Sequence, residues 1–323
     1  MHKRLRLTAL ASATVLLLAA CGSGSTPTAA PATAAPATAA PATAAPATVA
    51  PATEAPATVD PASLLGKVIA AGKIRVSTDP NYAPFSFLDT ATNTYVGFDN
   101  AVATEMVKRL SAEVGKDIAI EWVTPSWDLI TAGSWGGRWD LSVGSMSVTK
   151  TREKVVDFVD PYYYDFGVVA VPKDSPVQSL ADLAGKTFCV GASTTYEQWL
   201  NGTLEIVDPN MKPVPAGAIV KTLPTDNECV QAIAAGRTDF DALAANENSL
   251  ANAIKQNQPI RILADSNPTF TISVSGAMDK GGPPTAEILA LFNKITDEMH
   301  ADGTLTKLSV QYLEKDVTQK PGG

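Results

Sequence analysis

Two α/β lobes behind an exported, tethered N-terminus is the architecture predicted by this 323-residue sequence, and three observations predict it. An apolar leader ends in a cysteine. A proline-punctuated segment follows that has nothing from which to build a core. Then comes a body of about 250 residues, large enough for two medium domains, in which strand and helix patterns alternate twice over.

The leader reads as an export signal. Lys3, Arg4 and Arg6 make a positive start, Leu7 to Ala20 is apolar apart from Thr8, Ser12 and Thr14, and Leu18-Ala19-Ala20-Cys21 closes it. The run is shorter than the ~20 residues a membrane span needs. Leu-Ala-Ala-Cys followed by Gly22 resembles the lipobox of bacterial lipoproteins, which implies loss of residues 1–20 and acylation of Cys21. An uncleaved anchor and an ordinary cleaved signal are the readings beside it. A dually acylated cysteine would hold the chain to the membrane stably, whereas one chain is marginal. No later segment is long and apolar enough for a second span, which argues against a channel or a transmembrane receptor.

Loss of the leader removes three basic residues and no acid, so the formal charge moves from −8 to −11. A surface that acidic does not suit nucleic acid. With Cys21 committed to lipid, Cys189 and Cys229 remain as an even pair in a compartment where disulfides persist, two buried free thiols being the alternative. A strand and the start of a helix after the neighbouring strand carry them, positions that a parallel sheet can bring together. A structural zinc site needs four ligands and His300 is the one histidine beyond the leader, so no metal and no cofactor is expected.

Residues 21–62 form the tether. From Pro31 to Pro61 the chain repeats Pro-Ala-Thr-Ala-Ala with small variations, with proline at every fifth position. Such a segment is expected to be disordered and partly polyproline-like, reaching up to ~3 Å per residue. It would hold the body away from a lipid surface. Its regular threonines are compatible with sugar attachment.

In the body, Lys73–Thr78 reads as strand, Asn100–Glu113 as helix, Ile118–Val123 as strand, Ser126–Ala132 as helix and Leu141–Ser145 as strand. That βαβα order predicts a parallel sheet covered on both faces. It recurs with strands at Thr187–Gly191, Ile219–Thr222 and Phe240–Ala244 and helices at Thr195–Thr203 and Glu228–Ala235. Extended segments near Phe166–Val171 and Ser266–Ser275 would cross between the lobes as hinge strands. Helices at Thr285–Met299 and Leu305–Leu313 would return to the first lobe. The expected division is therefore 63–166 with 275–318 as lobe 1, 167–274 as lobe 2 and 319–323 as a tail.

Several motifs in this order resemble the bacterial solute-binding proteins for polar amino acids, the periplasmic binding proteins of type II topology. They are Ile74 to Phe87, Val96-Gly97-Phe98-Asp99, Trp139 to Arg152, Val156-Asp157-Phe158, Asp160-Pro161-Tyr162-Tyr163, Gly236-Arg237-Thr238-Asp239 and Ala301-Asp302-Gly303-Thr304. Together they span almost the whole body. The resemblance implies a binding protein, and not an enzyme, that captures a small amino acid by closing two lobes on it and delivers it to an ABC transporter permease. A monomer is expected, held to the membrane only through its lipid.

A zwitterion needs a planar fork for its carboxylate, acceptors for its ammonium and a wall for its side chain. Arg152 follows a strand and a Ser/Thr-rich turn, and guanidinium grips carboxylate through two parallel bonds; the resemblance implies that role. It implies also that Ser145 and Ser147 offer a backbone carbonyl and a hydroxyl to the ammonium, and that the Thr194 amide, at a helix start in the other lobe, meets the carboxylate. Asp79, Tyr82 and Trp127 would line the first lobe, with the acid toward the ligand's far end. Plain structural roles compete at each position: a surface arginine, N-capping serines, a packed tryptophan.

The sequence departs from the family at two places. Asn100-Ala101 stands where an acid is usual, and Asn246-Glu247-Asn248 stands where an aspartate often pairs with the ligand ammonium. The expectation is that Asn246 takes that place as a neutral acceptor, or that Glu247 turns inward and restores the charge. A dehydratase-like enzyme on the same fold and a ligand-sensing partner of a membrane receptor are the rival functions. Against catalysis, no nucleophile–base pair is visible, and Gly133–Gly137 lacks the Lys-Ser/Thr ending of a phosphate loop.

Overall fold

The computed structural model describes residues 58–321. The leader, Cys21 and nearly all of the tether lie outside the described residues. The body opens with helix α1 (Leu64–Ala71), whose first turn is capped by the Ser63 hydroxyl accepting from the Gly66 N–H at 3.1 Å.

The first lobe contains β1 (Lys73–Ser77), a small antiparallel sheet of β2 (Asn81–Tyr82), β3 (Ser86–Asp89) and β4 (Thr94–Val96), then α2 (Phe98–Val114), β5 (Ala119–Val123), α3 (Trp127–Thr131), β6 (Leu141–Ser147) and β7 (Val156–Phe158). Strand β8 (Tyr163–Pro172) leads away. The second lobe holds β9 (Thr187–Gly191), α4 (Thr195–Leu200), β10 (Ile219–Leu223), α5 (Asp226–Ala234), β11 (Ala242–Asn246), α6 (Glu247–Lys255) and β12 (Ile260–Ile262). Strand β13 (Phe270–Asp279) returns, and α7 (Ala286–Ala301) and α8 (Thr304–Leu313) complete the first lobe.

One sheet runs through both lobes in the order β10-β9-β11-β8-β13-β6-β1-β5. Its outer parts are parallel, β1 with β5 and β6 on one side and β9 with β10 and β11 on the other. Its centre is antiparallel. Residues Tyr163–Gly167 of β8 pair with Phe270–Val274 of β13; beyond that zone β8 pairs with β11 and β12, and β13 with β6 and β7. Each long strand therefore belongs to both lobes, and the two lie side by side at the crossing. The return strand starts four residues later than the expected Ser266, because Asn267-Pro268 precedes it and proline has no N–H for the ladder.

The packing follows the sequence periodicities. On α2, Val102, Ala103, Met106, Val107 and Leu110 form a helical stripe that meets Ile74, Val76 and Leu141 of the sheet and Phe292, Ile295 and Met299 of α7. In β8, Val169 and Val171 face one buried cluster while Val168 and Ala170 face another, as period-two alternation demands of a strand covered on both faces. The second of these clusters contains Cys189 of β9 and Cys229 of α5, which are joined as a disulfide.

Gly97 is required where it stands. With φ at +119° it admits few side chains, and a Cβ there would lie 2.4 Å from the Phe85 carbonyl oxygen. This close approach sets the start of α2 against the loop after β2. Asn100, the first departure from the family pattern, then donates from Nδ2 to Thr78 Oγ1 at 2.8 Å and ties α2 to the end of β1.

Candidate functional site

Parallel strands place their carboxyl ends, and the helix starts that follow them, along one edge of a sheet, which is where open α/β folds bind ligands. Here the ends of β1 and β6 in the first lobe face the ends of β9 and β10 in the second across a cleft. The structure brings Asp79, Tyr82, Trp127, Ser145, Ser147, Arg152 and Thr194 together on its walls.

Arg152 lies just beyond β6, buried at 3% exposure. Its Nη1 donates to the Ser147 carbonyl at 3.0 Å, and its Nη2 crosses the cleft to the Ser193 carbonyl, also at 3.0 Å. The indole of Trp127 donates to that same carbonyl at 3.2 Å, and the guanidinium carbon stands 5.2 Å from the Trp127 ring centre. Two groups of the first lobe thus converge on one backbone oxygen of the second. Ser193 has φ +62°, and its N–H is held by the Glu197 carboxylate at 2.7 Å. Burial lowers the Arg152 pKa to about 10, which leaves it cationic at neutral pH.

Side-chain partners divide what each neighbour can offer a ligand. The Ser145 hydroxyl donates to Asp99 at 2.7 Å, and Tyr162 donates to the other oxygen of Asp99 at 2.7 Å, so these groups form a buried support behind the wall. Ser145, at φ +54°, lines the cleft, and its N–H donates to the Tyr162 hydroxyl oxygen at 3.2 Å. The Thr194 hydroxyl is likewise occupied, donating to the Gly191 carbonyl and accepting the Glu197 N–H as cap of α4. Helix α4 stops at Leu200, short of the expected Thr203, where Gly202 adopts φ +67°. Asp79 accepts the Asn81 N–H at 2.7 Å, and burial raises its carboxyl above the usual range.

Asn246 stands elsewhere, and the expectation for it is corrected. It is fully buried beneath the wall; its Oδ1 caps α6 by accepting the N–H groups of Asn248 and Ser249, and its Nδ2 donates to Asp165. The alternative, Glu247, bonds to Asn267 and Lys315 away from the cleft. The cause is a strand two residues further along than expected: β11 runs Ala242–Asn246, in register with β9 through Ala242 and Phe188, so Asn246 becomes the cap. The acid that the second lobe does bring to the cleft is Asp226, the first residue of α5. Sequence reading missed it by starting that helix at Glu228. Pro224-Thr225-Asp226 at the end of a parallel strand is the signal that could have found it. Ser77 and Ser86 were missed as well; both line the same walls, and their hydroxyls are buried with no hydrogen-bond partner among the described residues.

Three carboxyls at or behind the cleft are held out of water. Burial pushes Asp99 and Asp165 up to about 6 and Asp226 up to about 7. Since the folded state then binds more protons than the unfolded chain between about pH 4 and 7, stability falls as pH rises through that window. The ligand-free protein is expected to melt at a higher temperature at pH 5 than at pH 8. An unfolding scan that rises instead from pH 5 to 8 would show these acids to be ionised at no cost. Among the described residues there is no cluster of three or more His, Cys, Asp or Glu able to hold a metal ion.

Two α/β lobes sharing two long strands, with a buried arginine in the cleft between them, is the architecture of the solute-binding class. The chain belongs to the bacterial extracellular solute-binding proteins, family 3, which it matches over residues 74–315. It is 29% identical over 261 residues to the L-cystine-binding protein TcyJ of Escherichia coli (strain K12), covering 79% of this chain and 88% of that protein. It is also 29% identical over 258 residues to the lysine/arginine/ornithine-binding periplasmic protein of the same organism, covering 76% and 88%. Among solved structures, an ancestral arginine-binding protein bound to arginine superimposes with a TM-score of 0.62 at 29% identity, covering 75% of this chain and 98% of that one. The ancestral amino acid-binding protein AncCDT-1, a precursor of cyclohexadienyl dehydratase, gives 0.63 at 29% identity, covering 78% and 100%.

Proposed function

We propose that this protein is the extracytoplasmic substrate-binding component of an ABC transporter, that it closes on an amino acid with a polar or basic side chain, and that it hands the closed complex to a membrane permease. The carrying observation is Arg152, the one basic side chain on the cleft wall among the described residues, which reaches from the first lobe to a carbonyl of the second. A ligand carboxylate set against its fork would gain contacts only when the lobes meet, which is the differential affinity that drives closure. The hinge would be the paired zone of β8 and β13, dividing 63–166 and 275–318 from 167–274. Cys21 would carry the lipid, residues 21–62 the reach, and the protein would act as a monomer.

The relatives are binding proteins for cystine and for basic amino acids, which supports binding over catalysis. Thermal unfolding with a panel of amino acids, opines and short peptides tests the proposal. A true ligand at 100 times its Kd stabilises by about 2.7 kcal/mol, which for a body of this size is an upward shift of roughly 5–10 °C. A response confined to aliphatic amino acids, sugars or metal ions would sink it.

A further inference from the structure

We infer that Asp226 receives a positively charged nitrogen of the ligand from the second lobe, and that with Asp79 opposite it selects amino acids bearing one carboxylate and two cationic nitrogens. This rests on the cleft being the amino-acid site proposed above, and it names the ligand class that the site prefers.

Three observations carry it. Asp226 follows the end of β10 directly and is 8% exposed on the cleft wall. Its Oδ1 is pinned by the Gly191 N–H at 2.8 Å, while Oδ2 makes no hydrogen bond among the described residues. That approach depends on Gly191, where a Cβ would lie 2.5 Å from Oδ1. Other second-lobe acceptors near this edge are committed: Asn246 to its cap and to Asp165, Glu247 to Lys315 and Asn267, and one oxygen of Glu197 to the Ser193 N–H.

Charge balance then sets the ligand. Among the described residues, the acidic and basic side chains on the wall are Arg152, Asp79 and Asp226, one cation and two carboxyls that can each take a cationic partner. A ligand carboxylate on Arg152 leaves both acids to be matched, and a buried unpaired charge is costly. A neutral amino acid brings one cationic nitrogen. A basic amino acid brings two.

The groups facing Asp226 are the Asp165 carboxyl and the phenols of Tyr82 and Tyr196. Burial first, and then Asp165, raise it to about 7, so near neutral pH it gives up a fraction of a proton when a cation docks.

Calorimetric titration of the wild-type protein and Asp226→Asn with L-arginine, L-lysine and L-glutamine at pH 7, in phosphate and in Tris, tests this. Asparagine keeps the Oδ1 acceptor for Gly191. The expected result is that the wild type prefers the cationic amino acids by at least about tenfold, with proton release on binding. In Asp226→Asn their affinity drops by about 30-fold or more and that of glutamine by less than about threefold. Glutamine bound as tightly as arginine by the wild type, or an equal loss for all three in the variant, overturns the role of Asp226 and leaves the amino-acid site standing. Wild-type protein that binds no amino acid overturns the site itself and this inference with it. Should the variant fail to melt cooperatively, the wild-type affinities decide alone: arginine and lysine bound at least about tenfold tighter than glutamine support the role, and equal affinities remove it.

Discussion

Replacing Arg152 by alanine is expected to weaken ligand binding by about 30-fold to several thousandfold, the range that follows from ~2 to 5 kcal/mol for stripping the partner from a desolvated charge. The ligand carboxylate would be left in a cleft that offers it two carboxyls, Asp79 and Asp226, and, among the described residues, no other basic side chain. Arg152→Lys should be nearly as damaging. An ammonium keeps the charge but cannot hold the Ser147 and Ser193 carbonyls while still presenting a fork. The fold should lose little. Burying the guanidinium has a cost of its own, visible in its lowered pKa, and this offsets much of what its two hydrogen bonds contribute. Calorimetry on Arg152→Ala, beside its ligand-free melting curve, separates the two roles. Unchanged affinity would remove Arg152 from the site, and a collapsed ligand-free melting temperature would make it a structural brace.

The second large effect belongs to the disulfide. Cys189 and Cys229 are fully buried in the second lobe and are 40 residues apart in sequence. Opening a loop of that size restores about 4 kcal/mol of chain entropy to the unfolded state. Replacing both with alanine should therefore lower the melting temperature by roughly 8–16 °C at this size. Denatured, unreduced wild-type protein should titrate with no free thiol at Cys189 or Cys229. Two reactive thiols there, or a double variant within about 1 kcal/mol of the wild type, would show that the bond does not contribute in solution.

Much of the fold could be read before any coordinates because its signals are local. Strand and helix periods alternate cleanly through Lys73–Ser77, Phe98–Val114 and Ala119–Val123, whereas the stops at Gly202 and Pro268 were read past. Arg152 was legible for a similar reason. A strand end, a hydroxyl-rich turn and an arginine in succession describe a loop at the edge of a parallel sheet, whatever else the chain does.

The side chains of the second lobe were not legible in that way. The run Ala242–Ala245 is apolar with no internal punctuation, so its strand had no defined ends until pairing with β9 placed Ala242 opposite Phe188. That register turned Asn246 into the cap of α6 and took it out of the cleft. The same holds for α5, where the Thr225 cap began the helix two residues early and set Asp226 on the wall.

By itself, then, the sequence determined two α/β lobes, the segments that cross between them and an arginine just beyond a strand end, all properties of short windows with a period or a motif. The tertiary structure alone decided which acid of the second lobe faces the first, which serine hydroxyls are already spent on Asp99, and how β8 and β13 pair to span both lobes. Those outcomes depend on register between strands distant in sequence. A shift of one or two residues there changes which side chain points into the cleft while leaving the local pattern the same.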